Sequence, residues 1–202
     1  MSLLHRIAQK PVIAALRKPE DIQIAIVSKV DHIFFMGGTI TEALSSITLA
    51  KQAGKGVFIH VDLIRGLSKT DKETIEFISD YMKADGIVTP KTHMIREAKK
   101  AGLFAVLHLF VLDSLALEHG LKLIEDVNPD AIELMPGIVG KVISRFADQV
   151  DRIPIIASGL IQSKEEALGA LDAGATALSV SEKSLWQMDF SDLTIDGCTK
   201  SG

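Results

Sequence analysis

His60 and Asp62 stand two residues apart in the run Val57–Leu63. Side chains two apart on an extended strand share a face, so an imidazole and a carboxylate would point the same way, with Phe58 beside them. Two other apolar runs each carry one ionisable group, His108 in Phe104–Phe110 and Glu133 in Ala131–Met135. Carboxylates and imidazoles gathered in one place can act as general acid and base or hold a divalent metal. They can also satisfy one another as an internal ion pair, which for Asp62 and Glu133 would run to His60, His108 or Arg65. A buried carboxylate without a donor is expensive, so each needs a partner or a ligand.

A second set of residues is small and polar. IIASGL at 155–160 reads as a buried strand breaking into a turn at Ser158 and Gly159, and ALSVSEKSLW at 177–186 as a strand running into a short helix past Ser179 and Ser181. A glycine lets the backbone approach an anion, serine hydroxyls donate to it, and a helix start offers unpaired N–H groups with a dipole contribution of about 0.3–2 kcal/mol. The plain alternative is a tight turn with capping serines. A Schiff-base enzyme would want a lysine inside a strand; none of the apolar runs has one, and the nearest is Lys91 after Thr89-Pro90. No GxGxxG, P-loop or GxSxG pattern occurs.

The elements that must position these groups alternate along the chain. Short β-branched runs at Val12–Leu16, His32–Met36, Val57–Leu63, Gly86–Thr89, Phe104–Phe110, Ala131–Met135, Ile155–Ala157 and Ala177–Val180 read as strands. Between them apolar residues recur at helical spacing: Ile22, Ile24, Ile26 and Val27; Ala43, Ile47 and Ala50; Leu117, Leu121 and Ile124. Asp113 and Ser163 stand where N-caps belong, the latter in a capping box, and Ala-Gly pairs at 53–54, 101–102 and 173–174 close three helices. Eight such units predict a parallel sheet covered by helices. Asp62, Thr89, His108, Glu133, Ser158, Ser179 and Ser181 all fall at strand C-termini. An open doubly wound sheet would concentrate them at one switch point, whereas a (β/α)8 barrel collects them into one mouth, with phosphate commonly held after strands seven and eight. At about 23 residues per unit against about 31 in a typical barrel, the outer helices must be short or irregular. The reading is one barrel domain over 1–202, with the tail beyond Trp186 packed loosely and no ninth element after Asp189.

The 202 residues carry 22 basic and 26 acidic side chains, a formal charge of −4, with 5% aromatic residues. That excludes a generally basic nucleic-acid coat while leaving room for a local patch. The lone cysteine, Cys198, excludes an internal disulfide and a cysteine zinc cluster. No run spans a bilayer and no secretory leader opens the chain, so the expected location is cytoplasmic.

The same segments resemble a known family, the glycerol uptake operon antiterminator regulators. The resemblance rests on HVDLIRGL at 60–67, DGIVT at 85–89, FVLDS at 110–114, IELMPG at 132–137, PIIASGLI at 154–161 and SEKSLW at 181–186, in that order and spacing. It implies a barrel that senses glycerol 3-phosphate and in response binds the leader mRNA of a glycerol-utilisation operon. Such a protein would be a regulator without catalytic residues, metal or cofactor, and a homodimer is left open. The ligand phosphate would sit on Ser158, Gly159, Ser179 and Ser181, with Asp62, Glu133 and His108 toward the glyceryl hydroxyls. Arg65, Lys69 and Lys91, with Arg17 and Lys18 nearby, are the basic residues placed for RNA. Two departures stand out: Leu107-His108 where the family usually has Gln-Arg, and Ser158-Gly159 where Gly-Gly is commoner. The competing reading is a phosphosugar isomerase, lyase or decarboxylase using Asp62, Glu133 and His108 as acid–base groups.

Overall fold

The computed structural model describes residues 7–150, 152–189 and 192–193. Eight strands, β1 (Val12–Leu16), β2 (His32–Phe35), β3 (Gly56–His60), β4 (Gly86–Thr89), β5 (Phe104–Phe110), β6 (Ala131–Met135), β7 (Ile155–Ser158) and β8 (Ala177–Val180), follow one another round a closed barrel. Every pairing is parallel, and β8 returns to β1 with Val12 opposite Leu178. This is the expected (β/α)8 barrel.

Most of the helices are short, as the residue count requires. They are α1 (Ile22–Val27), α2 (Ile40–Gln52), α3 (Lys72–Asp80), α4 (Thr92–Lys100), α5 (Ser114–Val127), α6 (Gly140–Ala147) and α7 (Lys164–Asp172). Asp113 caps α5 by accepting from the Ala116 N–H, and Ser163 with Glu166 closes a capping box on α7. Thr39 with Glu42 builds a second capping box on α2, signalled in the sequence by the same Thr-x-x-Glu spacing. The stripe expected on α1 is corrected: Ile22 and Ala25 are buried, whereas Ile24 is 39% and Val27 77% exposed. A six-residue helix has too little face to bury four branched side chains.

Alternation along each strand sorts side chains into two cores. The outward rows meet the helices, while Ile13, Phe34, Phe58, Val106 and Ile156 fill the barrel's interior and Ile7 packs with them. Phe58 fits because position 86 is glycine; a Cβ there would lie 2.5 Å from its ring. Filling the lower interior makes it a packed core rather than a pore, and truncating Phe58 would cost about 3–5 kcal/mol.

The loose tail is also corrected where it is described. Trp186 is buried and donates from Nε1 to the Val180 carbonyl at 2.8 Å, Met188 packs on the core, and Leu193 is buried. Lys29 ties this stretch down through Asp189 at 2.9 Å and Asp192 at 3.4 Å. Isolated apolar side chains without any period still found a groove. Positions 190–191 and 194–202 lie outside the described residues. No helix among the described residues is long and apolar enough to cross a membrane.

Candidate functional site

At the upper interior the apolar filling gives way to ionisable groups. His108 and Glu133 are register partners on β5 and β6, so their side chains enter the barrel side by side, and His108 Nδ1 lies 2.7 Å from Glu133 Oε2. The His60 ring, from the end of β3, stands edge-on to His108 with centroids 5.2 Å apart. Glu133 is wholly buried. Burial is the largest influence on it and pushes its carboxyl up. The His108 hydrogen bond and charge, the His60 charge and the nearby Ser179 hydroxyl together outweigh burial and hold it below the ordinary range. His60 is driven down chiefly by burial, with a smaller push from the His108 charge, against the pull of Glu133 and Asp62. The pairing leaves remainders. His60 Nδ1, Glu133 Oε1 and Ser179 Oγ are buried without a hydrogen-bond partner; the Ser179 hydroxyl favours the charged carboxylate from close by, but not in hydrogen-bonding alignment.

Asp62 does not join this group. The alternation that was to aim it inward stops at His60, where the strand ends and the Leu63 N–H turns back to the His60 carbonyl at 3.0 Å. Asp62 lies at the rim instead. Its Oδ2 accepts from the buried Thr89 hydroxyl at 2.8 Å and its Oδ1 is 3.4 Å from Lys91 Nζ. Lys91 also donates to the Lys69 carbonyl at 3.1 Å. Thr89 follows Ile87 on the outward-facing row of β4, so this network braces the β3 and β4 ends against each other.

Across the mouth, a cavity of about 550 Å³ is lined by Ser158, Gly159, Ser179, Ser181 and Arg17. Ser158 and Ser179 face each other across the β7–β8 pairing. Gly159 and Leu160 both take left-handed conformations, φ +81° and +64°, and a Cβ on Gly159 would sit 3.0 Å from Met135. This turn is laced to the one after β6: the Gly137 N–H donates to the Ser158 carbonyl at 2.6 Å and the Gly159 carbonyl at 3.1 Å. No backbone carbonyl among the described residues accepts from the N–H groups of Gly159, Leu160, Ser181 or Glu182, so the turn can present donors to an anion as a nest does. The helix expected beyond Ser181 is only the single 3₁₀ turn Leu185–Gln187, which follows Ser184 without a side-chain cap. Its dipole therefore adds little at Ser181, and the groups that could receive an anion here are loop N–H groups, hydroxyls and Arg17.

Arg65 and Lys69 are exposed on the loop after β3. Gly66 takes φ +97°, but the Arg65 backbone is held rather than loosened: its N–H donates to the Gly38 carbonyl at 2.9 Å and its carbonyl accepts from Ile40 at 3.1 Å. Sequence reasoning missed the apolar rim of the cavity, where Leu63, Phe110, Leu112 and Leu160 are 44%, 53%, 73% and 63% exposed. Phe110 was findable, since it shares the inward face of β5 with His108 but lies beyond the packed layers. Leu160 carried no signal.

Residues 12–186 match the family described as glycerol-3-phosphate responsive antiterminator. The chain belongs to this family. Membership of the antiterminator family supports a regulatory role. The chain is 37% identical over 188 residues to a protein of Escherichia coli K12 named uncharacterized protein YgcP, covering 93% of this chain and 97% of that one. Among solved structures, a glycerol uptake operon antiterminator regulatory protein from Listeria monocytogenes superposes with a TM-score of 0.82 at 31% identity, covering 87% of this chain and 94% of the other. A glycerol uptake operon antiterminator-related protein from Thermotoga maritima gives 0.78 at 35% identity, covering 89% and 99%.

Proposed function

We propose that the protein is a glycerol 3-phosphate-responsive antiterminator that binds the leader mRNA of a glycerol-utilisation operon and is not an enzyme. The observation that carries the reading is the family match across the barrel, joined to a mouth cavity with the chemistry of a phosphate cradle. The phosphate would lie between the Ser158–Leu160 turn and the Ser181–Glu182 backbone, with Ser179 and Arg17 alongside. The cavity's apolar rim would exclude water around the carbon chain, and His108 with Glu133 would meet its hydroxyls from below. Asp62 belongs to the effector site only if the ligand displaces Thr89 or Lys91 from it. The reading requires no cofactor.

For RNA, Arg65 and Lys69 offer outer phosphate contacts, and half-exposed Phe110 offers a stacking face. Lys91, engaged with Asp62, would have to be released to contribute. Effector binding need favour the RNA-competent arrangement by only about 1–3 kcal/mol. A homodimer is compatible with exposed Leu112, Leu115 and Val139 beside the groove between α5 and α6, and sedimentation across a concentration series tests it.

The deciding experiment is a leader-RNA titration with and without glycerol 3-phosphate, in parallel with a melting scan. Tighter RNA binding in the presence of effector supports the reading. No RNA affinity at any effector concentration would sink it. The acid–base enzyme is favoured by one observation, the His108–Glu133 pair beneath the mouth cavity; turnover of a phosphorylated triose or pentose would put it first. The barrel argues for neither, because fold does not set function.

A further inference from the structure

We propose that His60, His108 and Glu133 form a binding site for one late first-row divalent cation of the Zn²⁺ or Co²⁺ kind. One ligand atom from each of the three residues lies within 4.8 Å of the other two. Two imidazoles and one carboxylate are a donor set suited to such ions and unsuited to Mg²⁺ or Ca²⁺, which prefer all-oxygen shells. They come from three strands, β3, β5 and β6, whose backbones are fixed by the barrel. A site built on strands holds its geometry better than one built on loops.

The unpaired atoms point the same way. His60 Nδ1 and Glu133 Oε1 are buried without a hydrogen-bond partner, as is the Ser179 Oγ nearby, on residues 4%, 0% and 2% exposed. An orphaned buried polar atom is costly, and two of them in one three-residue cluster are accounted for together by one cation. A hydrogen-bonded triad built for structure alone would use both carboxylate oxygens; here His108 takes Oε2 and leaves Oε1 over.

Binding replaces a shared hydrogen by the cation. The hydrogen held between His108 Nδ1 and Glu133 Oε2 leaves that position, to solvent from an imidazolium or to Nε2 of a neutral ring, and the metal takes its place with the lone pairs of the two imidazoles and the carboxylate. Three protein ligands leave at least one coordination position open. The mouth cavity lies on the Ser179 side of Glu133, since Ser179 lines it and is also beside that carboxylate. An oxygen of a small molecule occupying the cavity could complete the shell. This inference stands whether or not the protein binds RNA.

The test is a Co²⁺ titration of the full chain after chelator treatment and dialysis, followed by visible absorption and thermal melting, then repeated with Zn²⁺ as competitor. The expected result is a single equivalent of Co²⁺ with visible d–d bands, displaced by Zn²⁺, and a rise in melting temperature. His60→Gln and Glu133→Gln should each weaken binding by about tenfold or more, since even indirect partners of a metal contribute that much. Metal-free melting of both variants shows whether they fold, and His60→Gln decides if Glu133→Gln does not. Absence of d–d bands up to millimolar Co²⁺ overturns the proposal. So does one-equivalent binding of equal affinity in wild type and His60→Gln, which would locate the ion on an exposed histidine such as His93 or His119.

Discussion

Asp62 at the rim and Glu133 at the floor of the mouth are both carboxylates in or just beyond an apolar strand, and the sequence offers no means of ranking them. Their surroundings separate them. Asp62 has both oxygens engaged, by Thr89 and by Lys91, and keeps some contact with water. Glu133 is wholly buried, has one oxygen bonded to His108 and keeps the other unpartnered. A satisfied carboxylate at a strand end braces loops; an unsatisfied buried one marks where a ligand belongs. The unit of inference is therefore the individual oxygen atom and its partner, not the residue.

The most direct way to break this comparison is to remove one partner from each carboxylate. His108→Ala leaves Glu133 buried with its strongest donor gone and should cost about 3–5 kcal/mol in urea unfolding. Asp62→Ala removes a partly hydrated rim network and should cost about 1 kcal/mol. Equal losses would erase the distinction. Next in size is the effector. Gly159→Val places a branched side chain at φ +81° against Met135 and should abolish the melting shift induced by glycerol 3-phosphate, whereas Asp62→Ala should retain most of it.

Acid sharpens the contrast further. His60 is held below its ordinary 6.5 by burial, so the unfolded chain takes up a proton that the folded one refuses, and stability falls as pH drops from about 6.5 toward the folded value. Glu133, held below its ordinary 4.5, adds a second loss at lower pH, as its charged form is protonated through its depressed folded value. Urea midpoints of chelator-treated protein between pH 7 and 4 should fall accordingly, and His60→Gln should flatten the upper part of that curve. The smallest expected effect is Arg65→Ala, which should leave the effector shift intact and lower the salt slope of RNA binding by about 0.7 for one lost phosphate contact.

The barrel was legible because its strands are short branched runs bounded by glycine, proline or charge, so that Val12–Leu16, Gly86–Thr89, Phe104–Phe110, Ala131–Met135 and Ala177–Val180 could be read to the residue. The meeting of His108 and Glu133 was half legible. Each was visibly an ionisable group in an apolar strand, but their pairing depends on the β5–β6 register, which the sequence does not display. Asp62 was misread because Val61, Leu63 and Ile64 continue an apolar pattern past the point where the chain has already turned. Nothing in that composition distinguishes a strand from the turn that ends it. The role of Thr89 was hidden for the same reason, since its partner arrives from the turn that ends another strand.

The closure of β8 onto β1 has a consequence for how the protein is made. Val12 cannot meet Leu178 until the chain has been synthesised through β8, which at about 5–20 residues per second takes on the order of ten seconds. During that interval β1 is an open edge on the growing sheet, a row of unpaired amides able to recruit a strand from another chain. Nascent protein should therefore be prone to aggregate at high expression rates. Slower translation or chaperone holding should raise the soluble yield without changing the stability of the finished barrel.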